Sequence, residues 1–155
     1  MMKRISAIQI NNGFSNSYYL PYSVGLLWCY YQKFSTNKDF SLDQMIYKRE
    51  NIAKIVERLK NSEVLLFSTY VWNINISLEI AKRIKSIKPE ITTIFGGPSV
   101  PDNANQFLKK YKFIDIACHQ EGERKFTSIL DGYHNNMWKE TPGISFLEND
   151  KFVKN

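Results

Sequence analysis

The stretch that decides the fold reads Ile91-Thr92-Thr93-Ile94-Phe95-Gly96-Gly97-Pro98. Its first five residues are apolar or β-branched, which is typical of a short buried strand, and the two glycines turn the chain at its end. Open α/β sheets bind ligands at the carboxyl edge of their strands. The Gly-Gly turn is therefore the first candidate site, because glycine lets the backbone approach a bulky ligand closely.

Four further apolar segments predict strands: Ile5 to Ile10, a weaker one within 40–47, Val64 to Phe67, and Phe113 to Cys118. Near-continuous apolar strands indicate burial on both faces, as in parallel sheets. Five helical patterns with one apolar face alternate with these strands. The order predicts a doubly wound α/β domain with a mostly parallel five-stranded sheet, either Rossmann-like or flavodoxin-like.

The last fifteen residues differ from this alternation. Gly143 to Leu147 and Lys151 to Val153 flank an Asn-Asp turn, which predicts a hairpin or a linker. We therefore expect an α/β domain over residues 1–140 and a C-terminal hairpin or linker over residues 141–155.

Composition excludes several classes of function. A chain of 155 residues predicts one domain, and its net charge of +6 comes from lysines spread over every helix rather than from one basic patch. We therefore expect no nucleic acid partner. No apolar run reaches the length of a membrane span, and the N-terminal apolar stretch is too short for a signal peptide, which predicts a cytoplasmic protein without a membrane partner.

The residues predict no catalytic group and no metal ligand set. No Ser-His-Asp, Cys-His or paired-carboxylate arrangement stands out. Cys29 and Cys118 are far apart and do not have a metal-binding spacing, so we expect two buried free thiols.

Four motifs in order resemble the N-terminal cobalamin-binding domain of cobalamin-dependent radical S-adenosylmethionine enzymes. They are Leu20-Pro21-Tyr22-Ser23-Val24-Gly25-Leu26-Leu27, Phe67-Ser68-Thr69-Tyr70-Val71-Trp72-Asn73, Phe95-Gly96-Gly97-Pro98 and Glu121-Gly122-Glu123. The resemblance covers nearly the whole chain, and Pro142 to Asp150 is similar to the segment that ends this domain. It implies a domain that carries methylcobalamin or hydroxocobalamin for a radical methyltransferase.

The resemblance has two departures. The radical domain of that family carries a C-x-x-x-C-x-x-C triad for an iron–sulfur cluster, which the two cysteines here cannot supply. The cluster and S-adenosylmethionine are therefore expected only in a downstream domain, in cis or in trans, and this chain alone is expected to bind without catalysis. The second departure is Gln120, where the family usually has glycine.

The cobalt ligand of many cobalamin-binding domains is a histidine in an Asp-x-His-x-x-Gly loop. Counting back from Ser68 at the family's spacing puts Gly25 at the glycine, Leu20 at the aspartate and Tyr22 at the histidine. The resemblance then implies cobalamin bound with its own base displaced and with no protein histidine on the cobalt.

Neither histidine of the chain fits that role, since His119 follows the fifth strand and His134 ends the last helix. Trp72 is the residue that the resemblance puts beneath the corrin, and a core aromatic is its alternative interpretation.

The cofactor-binding residues implied by the resemblance lie on the loops after the strands. They are Tyr18, Tyr22, Ser68, Thr69, Tyr70, Val71, Trp72, Asn73, Gly96, Gly97, Pro98, Ser99, Gln120, Glu121, Gly122 and Glu123. The alternatives are a flavodoxin-like or receiver-like domain for another small ligand, and a protein-interaction domain without cobalamin. Against a receiver, the first strand ends without an acidic pair and the third ends in Ser68 rather than aspartate.

Overall fold

The computed structural model describes residues 2–15 and 17–155. Its strands are β1 (Lys3–Ile8), β2 (Gly13–Phe14), β3 (Ser17–Tyr18), β4 (Phe40–Ile46), β5 (Val64–Ser68), β6 (Thr92–Gly96), β7 (Ile116–Cys118), β8 (Ile144–Glu148) and β9 (Lys151–Lys154). Its helices are α1 (Tyr22–Phe34), α2 (Ile52–Leu59), α3 (Ile74–Ile87), α4 (Asn105–Lys110) and α5 (Glu123–Asp131), followed by a 3-10 turn at Met137–Glu140.

The main sheet has the strand order β4-β1-β5-β6-β7-β8-β9. Its first five strands pair in parallel, which confirms the doubly wound α/β fold. The chain passes from β1 to β4 on one side and then to β5 on the other. This reversal of direction opens a crevice at the carboxyl ends of the strands, where ligands bind in folds of this type.

The expected number of five strands was wrong, because the main sheet has seven strands in the described residues. The C-terminal hairpin pairs antiparallel to β7 through Ala117 with Ser145 and Cys118 with Ile144. Its two strands thereby cover the edge of β7, whose backbone groups would otherwise be open to another chain. A second, separate sheet is the short pair β2 and β3.

Two apolar clusters cover the two faces of the sheet. In β5, Leu65 and Phe67 point into the cluster with α2, α3 and α4, while Val64 and Leu66 point into the cluster with α1 and α5. All four residues are buried, since successive side chains of a strand face opposite sides and both sides are covered. No helix in the described ranges is long and apolar enough to cross a bilayer.

The hairpin shares the core of the α1 and α5 face. Phe146 is 3% exposed and its ring lies edge-on to that of Trp138, at 5.2 Å between centroids. Residues 141–155 therefore bury apolar surface against the rest of the chain.

Truncating this buried ring tests how far the hairpin stabilises the domain. Phe146→Ala should lower the free energy of unfolding by about 3 kcal/mol, because it leaves a cavity between β8 and the 3-10 turn. The matched control is Phe34→Ala at the end of α1, where the ring is 53% exposed and the loss should stay below about 1 kcal/mol. Urea unfolding followed by circular dichroism measures both, and equal losses would mean that the hairpin is not part of the core.

Candidate functional site

A cavity of about 380 Å³ opens where the carboxyl ends of β5, β6 and β7 meet the first turns of α1 and α5. We call it the edge cavity, and its volume lies in the range of about 300–1,000 Å³ that is usual for small-molecule sites. Its buried wall is apolar and its outer part is polar or exposed. The side chains of the buried wall are Leu66, Ile94, Cys118 and Phe126, and the hydroxyl of the buried Ser68 lies at the end of β5.

The edge cavity brings together most of the residues implied by the resemblance. They come from the last residues of β5 and β6, from the loops after β5, β6 and β7, and from the first residues of α1 and α5. They are Tyr22, Ser68, Tyr70, Gly96, Gly97, Pro98, Gln120, Glu121, Gly122 and Glu123. These residues are far apart in sequence, and the parallel sheet brings them to one edge.

A second cavity, of about 420 Å³, lies beside the first and shares Tyr70 with it. We call it the loop cavity, and it is lined by Gln9, Asn11, Asn12, Tyr19, Leu20, Tyr70 and Trp72. The rings of Tyr70 and Trp72 stack at 4.6 Å between centroids, with 8° between their planes. Trp72 is 44% exposed and its neighbour Val71 is 83% exposed, so Trp72 is not a core aromatic.

Four implied residues lie outside the lining of either cavity, in addition to the exposed Val71. Thr69 and Asn73 are buried, and Ser99 and Tyr18 lie on the loop after β6 and on β3.

The side chain of Asn73 stabilises the loop after β5. Its Nδ2 donates to the carbonyl oxygens of Ile10 and Ser68, at 3.1 Å each. Its Oδ1 accepts from the backbone N–H of Tyr70 at 2.8 Å, so the loop that carries Trp72 has a fixed backbone.

The two glycines after β6 have different structural roles. Gly97 has φ of +97°, and a Cβ on it would lie 2.5 Å from the carbonyl oxygen of Thr69. A Cβ on Gly96 would meet only the Cβ of Cys118, at an ordinary 3.7 Å. Gly97 is therefore required by the fold, whereas Gly96 leaves space on the wall of the edge cavity.

Sequence reasoning missed the apolar wall of the edge cavity. Leu66, Ile94 and Cys118 each precede an implied residue by two positions, namely Ser68, Gly96 and Gln120. The two-residue period of a strand puts Leu66 with Ser68, and Ile94 with Gly96, on one face, so this period could have identified these two wall residues. Gln120 lies beyond the end of β7 with φ of +58°, so the period does not extend to it.

Two hydrophilic residues were also missed. Ser23 lines the edge cavity and Gln9 lines the loop cavity, and their side chains are hydrogen-bonded to each other. Ser23 stands within the first quoted motif, next to the implied Tyr22. The contact with Gln9 joins the residue that follows β1 to the first turn of α1, and neither segment carries a local signature of it.

The histidines lie away from the two cavities. His119 is buried, and its Nε2 is 2.8 Å from the hydroxyl oxygen of Ser145 in the hairpin. Burial, helped by the positive charge of Lys154, lowers its pKa and keeps the ring neutral. His134 is half-exposed, with its Nε2 3.2 Å from a carboxylate oxygen of Asp39.

The thiols differ in their surroundings. Cys118 is buried, and this burial raises the pKa of its thiol to about 12, so the edge cavity contains a neutral thiol. Cys29 lies exposed on α1, which corrects the expectation that both thiols are buried. The helical pattern correctly predicted that Cys29 lies on a helix, but it did not predict that the residue lies on the exposed side of that helix.

Geometry and lining together define an α/β domain with a small-molecule cavity at the carboxyl edge of its parallel sheet. A family model described as "B12 binding domain" matches residues 36–130. The chain belongs to this family of cobalamin-binding domains, and the resemblance seen in the sequence is confirmed.

The relatives are larger enzymes. A cobalamin-dependent radical SAM methyltransferase, TokK of Streptomyces tokunonensis, is 30% identical over 115 residues, which are 72% of this chain and 17% of the relative. A 2-(S-pantetheinyl)-carbapenam-3-carboxylate methyltransferase of Streptantibioticus cattleyicolor is 28% identical over the same shares. The chain thus spans about one sixth of the length of these relatives.

The fold also matches a solved structure. The radical S-adenosylmethionine methyltransferase TsrM of Kitasatospora setae, with cobalamin and a [4Fe-4S] cluster bound, superposes with a TM-score of 0.76. The match covers 99% of this chain and 29% of TsrM at 11% identity. This likeness concerns the fold.

The contrast between Gly97 and Gly96 gives a test of the site's architecture. Gly97→Ala should lower the free energy of unfolding by at least about 2 kcal/mol, because a Cβ is strained at positive φ and collides with the Thr69 carbonyl. Gly96→Ala should change it by less than about 0.5 kcal/mol. Denaturant unfolding of the two variants compares them directly, and equal stability would contradict the close approach of the two loops.

Proposed function

We propose that this domain binds cobalamin base-off, with the nucleotide tail in the edge cavity and no protein imidazole on the cobalt. The observation that carries the proposal is the edge cavity itself. Gly96 leaves it open between β5 and β6, and its apolar wall suits a flat aromatic base. The residues present therefore fit the group.

The proposed contacts use the loops that the sheet assembles. Gly96, Gly97, Pro98 and Ser99 would line the path of the tail, and Ser68 would offer its hydroxyl to the buried base. Glu121 and Glu123 would accept hydrogen bonds from corrin amides or from the ribose. The other proposed cofactor-binding residues are Tyr18, Tyr22, Thr69, Tyr70, Val71, Trp72, Asn73, Gln120 and Gly122.

We propose Trp72 as the residue beneath the corrin. Its carbonyl accepts from Nη2 of Arg49 at 3.1 Å, and its ring stacks on Tyr70, so both its backbone and its ring are supported. An apolar ring there would exclude water from that side of the cofactor. The exposed Val71 would widen this apolar surface.

Bound cobalamin supplies a cobalt centre that can carry a methyl group. The chain's own residues bind and orient that cofactor, exclude water from its lower side and keep the buried base in neutral surroundings. We propose that the chain alone binds and does not catalyse.

The binding experiment uses purified protein and hydroxocobalamin. One cobalamin per chain should remain after desalting, with the absorbance of the base-off form. Gly96→Val should weaken binding by about tenfold or more, because its side chain enters a filled cavity. His119→Gln and His134→Gln should leave the spectrum unchanged. Loss of the chromophore on desalting, or a spectrum that depends on either histidine, would contradict the proposal.

We further propose that a radical S-adenosylmethionine domain, in cis or in trans, is the partner of this domain. The match to a cobalamin-dependent radical SAM methyltransferase supports it, and so do the exposed apolar residues around the loop cavity. Tyr19 and Leu20 line that cavity and are exposed, and Phe14, Tyr22 and Val71 on neighbouring segments of the chain are exposed too. Contiguous exposed apolar surface marks interaction sites. Within this proposal residues 1–140 hold the cofactor and residues 141–155 lead toward the radical domain.

The partner proposal predicts a cysteine triad. A C-x-x-x-C-x-x-C sequence, with an iron–sulfur cluster and S-adenosylmethionine bound by its domain, should lie in the same polypeptide beyond Asn155 or in a separate chain that copurifies. Sequencing the gene downstream tests the first case, and copurification followed by iron analysis tests the second. If both searches find no such triad, the partner proposal fails while cobalamin binding stands.

A further inference from the structure

Three polar side chains form a chain of hydrogen bonds between the two cavities. The hydroxyl of Ser23 donates to Oε1 of Gln9 at 2.6 Å, and the hydroxyl oxygens of Ser23 and Ser68 are 3.0 Å apart. Gln9 and Ser68 are buried. Ser23 and Ser68 line the edge cavity and Gln9 lines the loop cavity, so the chain of bonds connects the proposed base site with the proposed corrin site.

Counting hydrogens fixes the direction of these bonds. A serine hydroxyl has one hydrogen, and that of Ser23 goes to Gln9. The bond between the two serines must then use the hydrogen of Ser68. In this arrangement Ser68 turns only lone pairs toward the edge cavity and acts there as an acceptor.

A base whose ring nitrogen has a free lone pair needs a donor, so the hydrogen bonds between Gln9, Ser23 and Ser68 must run in the opposite direction. An amide turned by 180° exchanges its oxygen for its nitrogen, so Gln9 can donate to Ser23 instead of accepting from it. Ser23 then donates to Ser68, and Ser68 donates to the ring nitrogen. Glutamine is suited to this position because its terminal group offers either direction in nearly the same volume.

We infer that Gln9 and Ser23 are positioning residues that set the donor direction of Ser68, and that they thereby select cobamides whose buried base carries a ring nitrogen. This inference rests on the proposed function. It assigns to the site a preference for benzimidazole-type bases over phenolic bases, which have no ring nitrogen.

The test locks the direction of the bonds. Gln9→Glu, measured at pH 8 where its carboxylate is ionised, can only accept, so it holds Ser23 and Ser68 turned away from the cavity. The preference for cobalamin over a phenolic cobamide should fall about fivefold, which is the size of one lost hydrogen bond. It should approach the preference of Ser68→Ala, which has no hydroxyl to donate. The cost of releasing the base from cobalt cancels, because it is the same for every variant.

Two further variants give results that a merely structural role would not give. Gln9→Met removes the acceptor and frees Ser23 to donate to Ser68, so it should keep the wild-type preference within about twofold. Ser23→Ala added to Gln9→Glu frees Ser68 and should restore the preference that Gln9→Glu alone loses. Such rescue is a coupling between neighbours that independent sites do not have. Ser86→Ala, on the exposed side of α3, is the control and should change nothing.

The measurement is the ratio of the two dissociation constants, from absorbance titrations of the intact chain with each cobamide. Circular dichroism checks the fold of every variant, and if Gln9→Glu does not fold, Gln9→Asp, whose ionised carboxylate also only accepts, replaces it. Loss of the preference in Gln9→Met also overturns the inference. An unchanged preference in Gln9→Glu, or no rescue by Ser23→Ala, overturns the inference while stoichiometric binding still supports the proposed function. If the wild-type chain binds neither cobamide, the proposed function itself fails.

Discussion

The close approach of two backbones at the carboxyl edge is the constraint on which the site depends. The N–H and the hydroxyl of Thr69 both donate to the carbonyl of Gly96, at 2.8 Å each. The N–H of Ser99 in turn donates to the carbonyl of Thr69 at 3.2 Å. These bonds join the loop after β5 to the loop after β6, and they leave no room for a side chain at Gly97. The Gly-Gly side of the edge cavity is therefore held mainly by backbone atoms, with one side-chain bond from the Thr69 hydroxyl.

The loop that carries Trp72 combines a fixed backbone with exposed side chains. Asn73 is buried and holds the loop to the ends of β1 and β5. Val71 and Trp72, on the same loop, leave much apolar surface in water. A buried amide with all three bonds made stabilises the native state, whereas exposed apolar side chains do not. A local departure of this kind, on an otherwise consistent fold, is typical of a site that binds something.

Most of the fold and part of the site could be predicted from the sequence. Continuous apolar runs such as Val64 to Phe67 gave the inner strands, because such strands are buried on both faces. The strand β4 was the weakest prediction, since it lies at the edge of the sheet and mixes polar with apolar residues. The hairpin was visible from its turn, but its pairing with β7 was not, because strand pairing joins segments that share no local signal.

The same division holds for the site. Ser68, Gly96 and Gly97 stand in motifs whose order in the chain can be recognised. The contact of Gln9 with Ser23 links two elements that meet only after folding, and hydrogen-bond direction follows from atoms that a sequence does not locate.

The electrostatics of the edge cavity determines which kind of base its buried wall can hold. Its buried wall contains Leu66, Ile94 and Phe126, and burial keeps the thiol of Cys118 uncharged at any physiological pH. A charged base would lose its hydration against this buried wall, where none of the lining side chains is charged, so the wall favours a neutral base. A neutral benzimidazole keeps an unshared pair on its ring nitrogen, and leaving that pair buried without a donor costs free energy. Within the proposed function, an apolar wall of this kind makes the direction of the Ser68 hydroxyl matter. Gln9, which lies outside the recognised motifs, and Ser23, which lies inside one of them, would then bear on the choice of cofactor.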